Sequence, residues 1–72
     1  MNLASAFRRF RKEFHLTQRE VAEHANVGVR TYQEYEYGNV IPTATVLIAI
    51  AEHYDVSIDY LVGRTDNTKL YR

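Results

Sequence analysis

The stretch that most constrains this chain runs from Thr17 to Gly38, TQREVAEHANVGVRTYQEYEYG. It reads as two short helices joined by a tight turn. Thr17 is placed to cap the first helix, and Glu20, three residues on, reaches back to complete a capping box. Val21, Ala22 and Ala25 fall on one narrow face of small residues, which lets another helix approach closely. Asn26 stands where the chain turns, and asparagine is the non-glycine residue that best tolerates a left-handed backbone. The second helix is expected from about Val29 to Gly38, glycine being the natural residue just past a helix end. Tyr32, Tyr35 and Glu36 form its expected inner face, and Val29, Arg30, Gln33, Glu34 and Tyr37 its outer one.

Helix, short turn and helix, with a polar outer side on the second, is the plan of a helix-turn-helix reader of DNA. An ordinary αα-corner fits this stretch equally well by itself. The full sequence has 72 residues, enough for one domain and a small core. Cores of this size stabilise by only about 3–5 kcal/mol, which points to close helix packing or association. With no cysteine, disulfide frameworks and thiolate zinc sites are excluded. No apolar run approaches the ~20 residues that cross a bilayer, and no basic-then-apolar signal opens the chain. A soluble, cytoplasmic protein is the expectation.

Nine basic and nine acidic residues cancel, but they are not evenly spread. Residues 1–30 hold Arg8, Arg9, Arg11, Lys12, Arg19 and Arg30 against three glutamates, whereas residues 31–63 contain no lysine or arginine. Segregation of this kind gives one end of a molecule a positive field if folding preserves it. An evenly mixed surface is the alternative.

The first helix is predicted from about Asn2 to Phe14, with Leu3, Phe7, Phe10 and Phe14 as one apolar stripe. Arg8, Arg9 and Lys12 lie off the stripe and are expected to meet solvent or phosphate. Arg11 borders it, so it either snorkels outward or pairs with a buried acid. His15 is expected in the left-handed turn that ends the helix. After the loop through Pro42, Thr43 caps a helix from about Ala44 to Tyr54 that buries Val46, Leu47, Ile50, Ala51 and Tyr54. Ser57 caps a shorter fifth helix ending at Gly63. Residues 1–63 are thus expected to form the domain. Residues 64–72 are a tail without periodicity, of the kind that usually frays.

Taken together, FRRFRKEFHLTQREVA, YEYG followed by Pro42, LIAIA and VSIDYLVG resemble the phage-repressor and Cro type of helix-turn-helix, the xenobiotic-response-element family. These pieces lie in order from about Phe7 to Gly63. The resemblance implies an all-α fold, a compact five-helix lambda-repressor-like domain with its helix-turn-helix at helices two and three. It also implies a transcriptional regulator, most simply a repressor of prophage or mobile-element type, that binds double-stranded operator DNA as a homodimer.

Carried over position by position, the resemblance makes Val29, Arg30, Thr31, Gln33 and Glu34 the base-reading residues. Gln18, Asn39 and Val40 become phosphate contacts, and Arg11 with Glu36 a structural ion pair; the basic Arg19 and the outward-facing Tyr37 are added to the phosphate contacts on their own chemistry. Each residue has a plainer alternative. Arg30 and Glu34 are spaced as an exposed i, i+4 pair, which stabilises a helix by only ~0.2–0.5 kcal/mol. Tyr32 and Tyr35 read as core, and Tyr37 as an ordinary surface tyrosine. The sequence departs from the family at Gly28, where Ser or Thr usually caps, at Asn26, at Tyr32, and at Asn39-Val40, which lacks a cation.

No Ser-His-acid order, glycine-rich phosphate loop or paired carboxylate supports an enzyme. His15, His24 and His53 show no helical ligand spacing, so neither a metal nor another cofactor is expected. The zero net charge and the tyrosine-rich third helix keep one alternative open. It is the same fold used for protein contact, as an antitoxin-like or anti-repressor module. Helix five around Ile58 and Leu61, together with the tail, is the expected dimer interface.

Overall fold

The computed structural model describes residues 2–68 and contains five helices in that span. They are α1 (Leu3–Glu13), α2 (Gln18–Ala25), α3 (Val29–Tyr37), α4 (Ala44–Tyr54) and α5 (Ile58–Leu61). Among the described residues there is no strand and no helix long and apolar enough to cross a membrane.

Local chemistry sets most of the boundaries. Asn2, Thr17, Thr43 and Ser57 each cap a helix by accepting from a backbone N–H in its first turn. At α2 the box is closed in both directions, with Glu20 N donating to Thr17 Oγ1 at 3.1 Å and Thr17 N to Glu20 Oε1 at 2.9 Å. His15, Asn26 and Asp55 adopt positive φ at the turns after α1, α2 and α4. The turn after α3 falls to Gly38 at φ 85°. Asp55 carries a conformation that its residue type favours only modestly.

Gly28 caps α3 without a side-chain hydrogen bond. A Cβ built there meets nothing within 4 Å, and the backbone is already extended. Gly28→Ser is therefore expected to stabilise the domain by a few tenths of a kcal/mol. In a domain this size that raises the thermal midpoint by roughly 1–3 °C. A calorimetric scan showing an unchanged or lower midpoint would contradict this view of the cap.

The core is aromatic, in two groups that share α1. Phe7 packs on Tyr32 and Tyr35, with ring centroids 6.1 and 6.2 Å away, and so docks α3. Phe10 meets Phe14, Tyr54 and Tyr60, which docks α4 and α5. Ring pairs of this kind contribute about 0.5–1.5 kcal/mol beyond the area they bury. Phe7 and Phe10 are wholly buried, and Ala6 is buried beside them. The ends of the predicted stripe, Leu3 and Phe14, are only half-buried. Tyr60, absent from the predicted core, is fully enclosed.

Two expectations are corrected here. Arg8 and Arg9 do not simply face solvent. Arg8 Nη1 donates to the Glu36 carbonyl at the end of α3. Arg9 Nη2 donates to the Tyr60 carbonyl, while its guanidinium lies 4.4 Å from the centre of the Tyr60 ring. Both arginines satisfy carbonyls at helix ends, where a cation is also favoured by the helix dipole. The expected dimer surface differs as well. Leu61 is fully buried, so it offers nothing to a partner, whereas Ile58 remains exposed. The tail folds onto its own domain as far as Thr68, whose carbonyl accepts from Ser57 N at 2.9 Å. Asp66 meanwhile pairs with Arg9 at 3.3 Å. Residues 69–72, the rest of that expected interface, lie outside the described residues.

Candidate nucleic-acid interface

The turn at Asn26 sets α3 against α1 and α2, burying Tyr32, Tyr35 and Glu36. That is the predicted inner face. Outward, Arg30 and Thr31 are exposed at the start of α3, and Val29, Gln33 and Glu34 are half-buried. Arg19 lies exposed on the first turn of α2, and Tyr37 is 63% exposed at the far end of α3.

Arg30 and Arg19 make no ion pair or hydrogen bond among the described residues. Glu34 does not hold Arg30. Its Oε2 accepts instead from Asn39 Nδ2 at 2.8 Å, because Gly38 turns the chain back and brings Asn39 under the last turn of the helix. The backbone N–H groups of Asn39 and Val40 both donate to the Glu34 carbonyl, at 3.1 and 3.4 Å. In this conformation those two amides serve the helix end. The Val40 side chain lines a shallow cleft of about 300 Å³ with Leu3, Tyr35 and Ile41.

Beneath the exposed surface lies a buried ion pair. Arg11 Nε donates to Glu36 Oε2 at 2.7 Å, and Nη2 to Oε1 at 3.1 Å. This two-point contact ties α1 to the end of α3. The Glu36 side chain is almost wholly enclosed, at 2% exposure, and that of Arg11 is largely enclosed. Burial alone would push the Glu36 carboxyl upward. Arg11 and the other groups facing it outweigh that effect and hold it below the ordinary range. The Tyr32 hydroxyl is buried near the same carboxylate without hydrogen-bond geometry. Its ionisation is pushed up, first by burial and then by the carboxylate.

Gln18 joins this pair. Its Nε2 donates to Glu36 Oε1 at 3.2 Å, and its Oε1 accepts from Gln33 Nε2 at 3.1 Å. This link is not legible in the sequence, since Gln18 and Gln33 lie on different helices and only the packing of α2 on α3 brings them together. The histidines show a similar surprise. His24 and His53 stack with ring centroids 3.5 Å apart across the α2–α4 contact. Among the described residues no group of three or more potential metal ligands forms.

These elements define a helix-turn-helix DNA-binding domain. The family model described as Helix-turn-helix, HTH_3, matches residues 7–61, and the chain belongs to that family. It is 37% identical over 60 residues to an uncharacterized HTH-type transcriptional regulator, YobD, of Bacillus subtilis, covering 83% of this chain and 54% of that protein. It is also 37% identical to the cryptic phage CTXphi transcriptional repressor RstR of Vibrio cholerae, covering 75% of this chain and 48% of that one. A crystal structure of a transcriptional regulator from Listeria innocua superimposes with a TM-score of 0.77 at 33% identity. That match covers 97% of this chain and 64% of the other. The chain thus spans about half the length of the curated relatives it matches. The similar proteins are transcriptional regulators, not enzymes.

Proposed function

We propose that this protein represses transcription in the cytoplasm by binding operator DNA as a homodimer, with α3 in the major groove. The observation that carries this reading is the fate of the arginines. Arg8, Arg9 and Arg11 are tied to the domain itself, whereas Arg19 and Arg30 stand exposed on the helix-turn-helix with no partner among the described residues. Arg30, Thr31, Val29 and Gln33 read base edges. Arg19, Gln18 and Tyr37 meet the backbone, and Asn39 and Glu34 shape the rim beside it. Similarity to a phage repressor supports the repressor role. The domain measures 33 × 23 × 22 Å, so one copy covers about one half-site, and two copies span half-sites ~34–36 Å apart. Ile58 and the exposed Ile48 of α4 supply apolar surface for pairing.

With few cations free for phosphate, the salt dependence of binding is expected to be shallow for a dimeric repressor. Each phosphate neutralised contributes about −0.9 to the slope of log K against log salt, and we expect roughly −3 to −6 for the dimer. Fluorescence anisotropy over a salt series measures it. A slope near zero, with no saturable binding, would count against a DNA-binding role. It would favour the second reading, protein contact through the cleft beside Ile41, which is 78% exposed.

A further inference from the structure

We propose that His24 and His53 form a two-histidine site for a divalent transition-metal ion of the zinc type, which clamps α2 to α4. The site does not depend on duplex binding. Spacing along the sequence offers no ligand pair on any single helix, and these two histidines meet only because α2 and α4 pack together. Their ring centroids lie 3.5 Å apart, with planes 16° from parallel. Two Zn–N bonds of about 2.0–2.1 Å at a tetrahedral angle hold their nitrogens roughly 3.3 Å apart. The fold thus already brings both rings within the span that one ion bridges. Imidazole lone pairs lie in the ring planes, so the rings must splay out of the stack to point at a common ion. Both side chains are exposed, and the outer torsion of histidine is broad. Splaying therefore displaces water and leaves the core in place.

The surroundings favour a cation at this point. Tyr54 stands nearly perpendicular to both rings, with centroids 5.7 Å from His24 and 4.7 Å from His53. Phe10 anchors Tyr54 in the core, so the phenol ring is a fixed wall beside the pair, and water completes the coordination on the open side. Each histidine falls in the last turn of its helix, so two helix ends of partial negative charge meet here. Glu20 lies one turn before His24. Its carboxylate accepts from Thr17 N at 2.9 Å, so it adds charge and not a ligand. Imidazole selects Zn²⁺, Ni²⁺ or Cu²⁺ over Mg²⁺ and Ca²⁺, which take oxygen ligands. With two protein ligands in place of the four of a closed structural site, the clamp is weak and exchangeable. It binds the folded pair and not the separated histidines of the unfolded chain, so it stabilises the domain.

The test titrates the full chain with zinc chloride and follows both its melting and its imidazole resonances. In the wild type, about 1 mM Zn²⁺ should raise the thermal midpoint by at least about 4 °C, whereas equal Mg²⁺ should move it by less than about 1 °C. His24→Ala and His53→Ala change exposed side chains, so each should fold without metal and lose most of the zinc-dependent gain. His15→Asn should keep that gain, since asparagine suits the left-handed turn at this position. Nuclear magnetic resonance of the imidazole nitrogens reads the site directly. Zinc should shift His24 and His53 together, saturate at one ion per chain and leave His15 unmoved. The inference is overturned if only one of the two rings shifts, if His24→Ala or His53→Ala retains the full gain, or if nothing saturates over the same range. It is equally overturned by saturation at half an ion per chain with a zinc-dependent dimer in sedimentation, which would place the ion between two copies.

Discussion

Truncating Glu36 to alanine is expected to destabilise the domain by about 3–5 kcal/mol, because it strands the largely buried Arg11 guanidinium without its partner. Arg11→Ala should do similar damage by stranding the carboxylate. Losses of this size are comparable with the whole stability of a chain this short, so both variants should be largely unfolded at room temperature. Chemical denaturation followed by circular dichroism measures the effect. A Glu36→Ala protein that melts like wild type would show that the pair holds nothing together.

The same pair sets a pH dependence with a definite sign. The Glu36 carboxyl titrates lower in the folded protein than in the unfolded chain. As pH falls below the unfolded carboxyl's range, the unfolded state takes up its proton first, and stability drops. The contribution is therefore fully present above about pH 5 and lost as pH falls through the depressed folded value. The partially stabilised variant Glu36→Gln should start from lower stability and show a flatter acid limb. An acid limb as steep as that of the wild type would place the titrating group elsewhere.

The second large effect is expected at Arg30. Arginine donates two hydrogen bonds to guanine O6 and N7 in a fixed fork. Arg30→Ala should weaken binding to the preferred operator by about 1–3 kcal/mol and relax preference at one base pair per half-site. Among the described residues Arg30 has no partner to give up first, since Glu34 is held by Asn39. Its effect on folding should be small for that reason. A thermal melt of Arg30→Ala alongside the binding series separates the two. Equal weakening on every duplex would mean that Arg30 only touches the backbone.

What the sequence discloses and what it conceals divide along range. Thr17 with Glu20, Asn26, Gly38, Thr43 and Ser57 act on backbone groups within a few residues, so the helix ends follow from local chemistry. The inner face of α3 was legible as well, because Tyr32, Tyr35 and Glu36 recur at helical spacing. The destinations of Arg8 and Arg9 were not. A long side chain off an apolar stripe reads as solvent-facing, and only the docking of α3 and α5 on α1 presents the carbonyls they find. Leu61 went the other way, an apolar residue of a short helix that looked available and is enclosed. The Arg30–Glu34 spacing was correct for a pair, but Asn39 lies closer once Gly38 reverses the chain. The Gln18–Gln33 contact and the His24–His53 stack are also tertiary products, since neither pair shares a helix.

Selection from a pool of random duplexes at fixed salt tests whether α3 reads duplex sequence from two copies at once. The expected result is an enriched motif with two-fold symmetry, its half-sites centred about one helical turn, ~34–36 Å, apart. One base pair in each half should lose its preference when the selection is repeated with Arg30→Ala. A pool that emerges unenriched, or a motif that Arg30→Ala leaves unchanged, would show that α3 does not read sequence through Arg30 in this way.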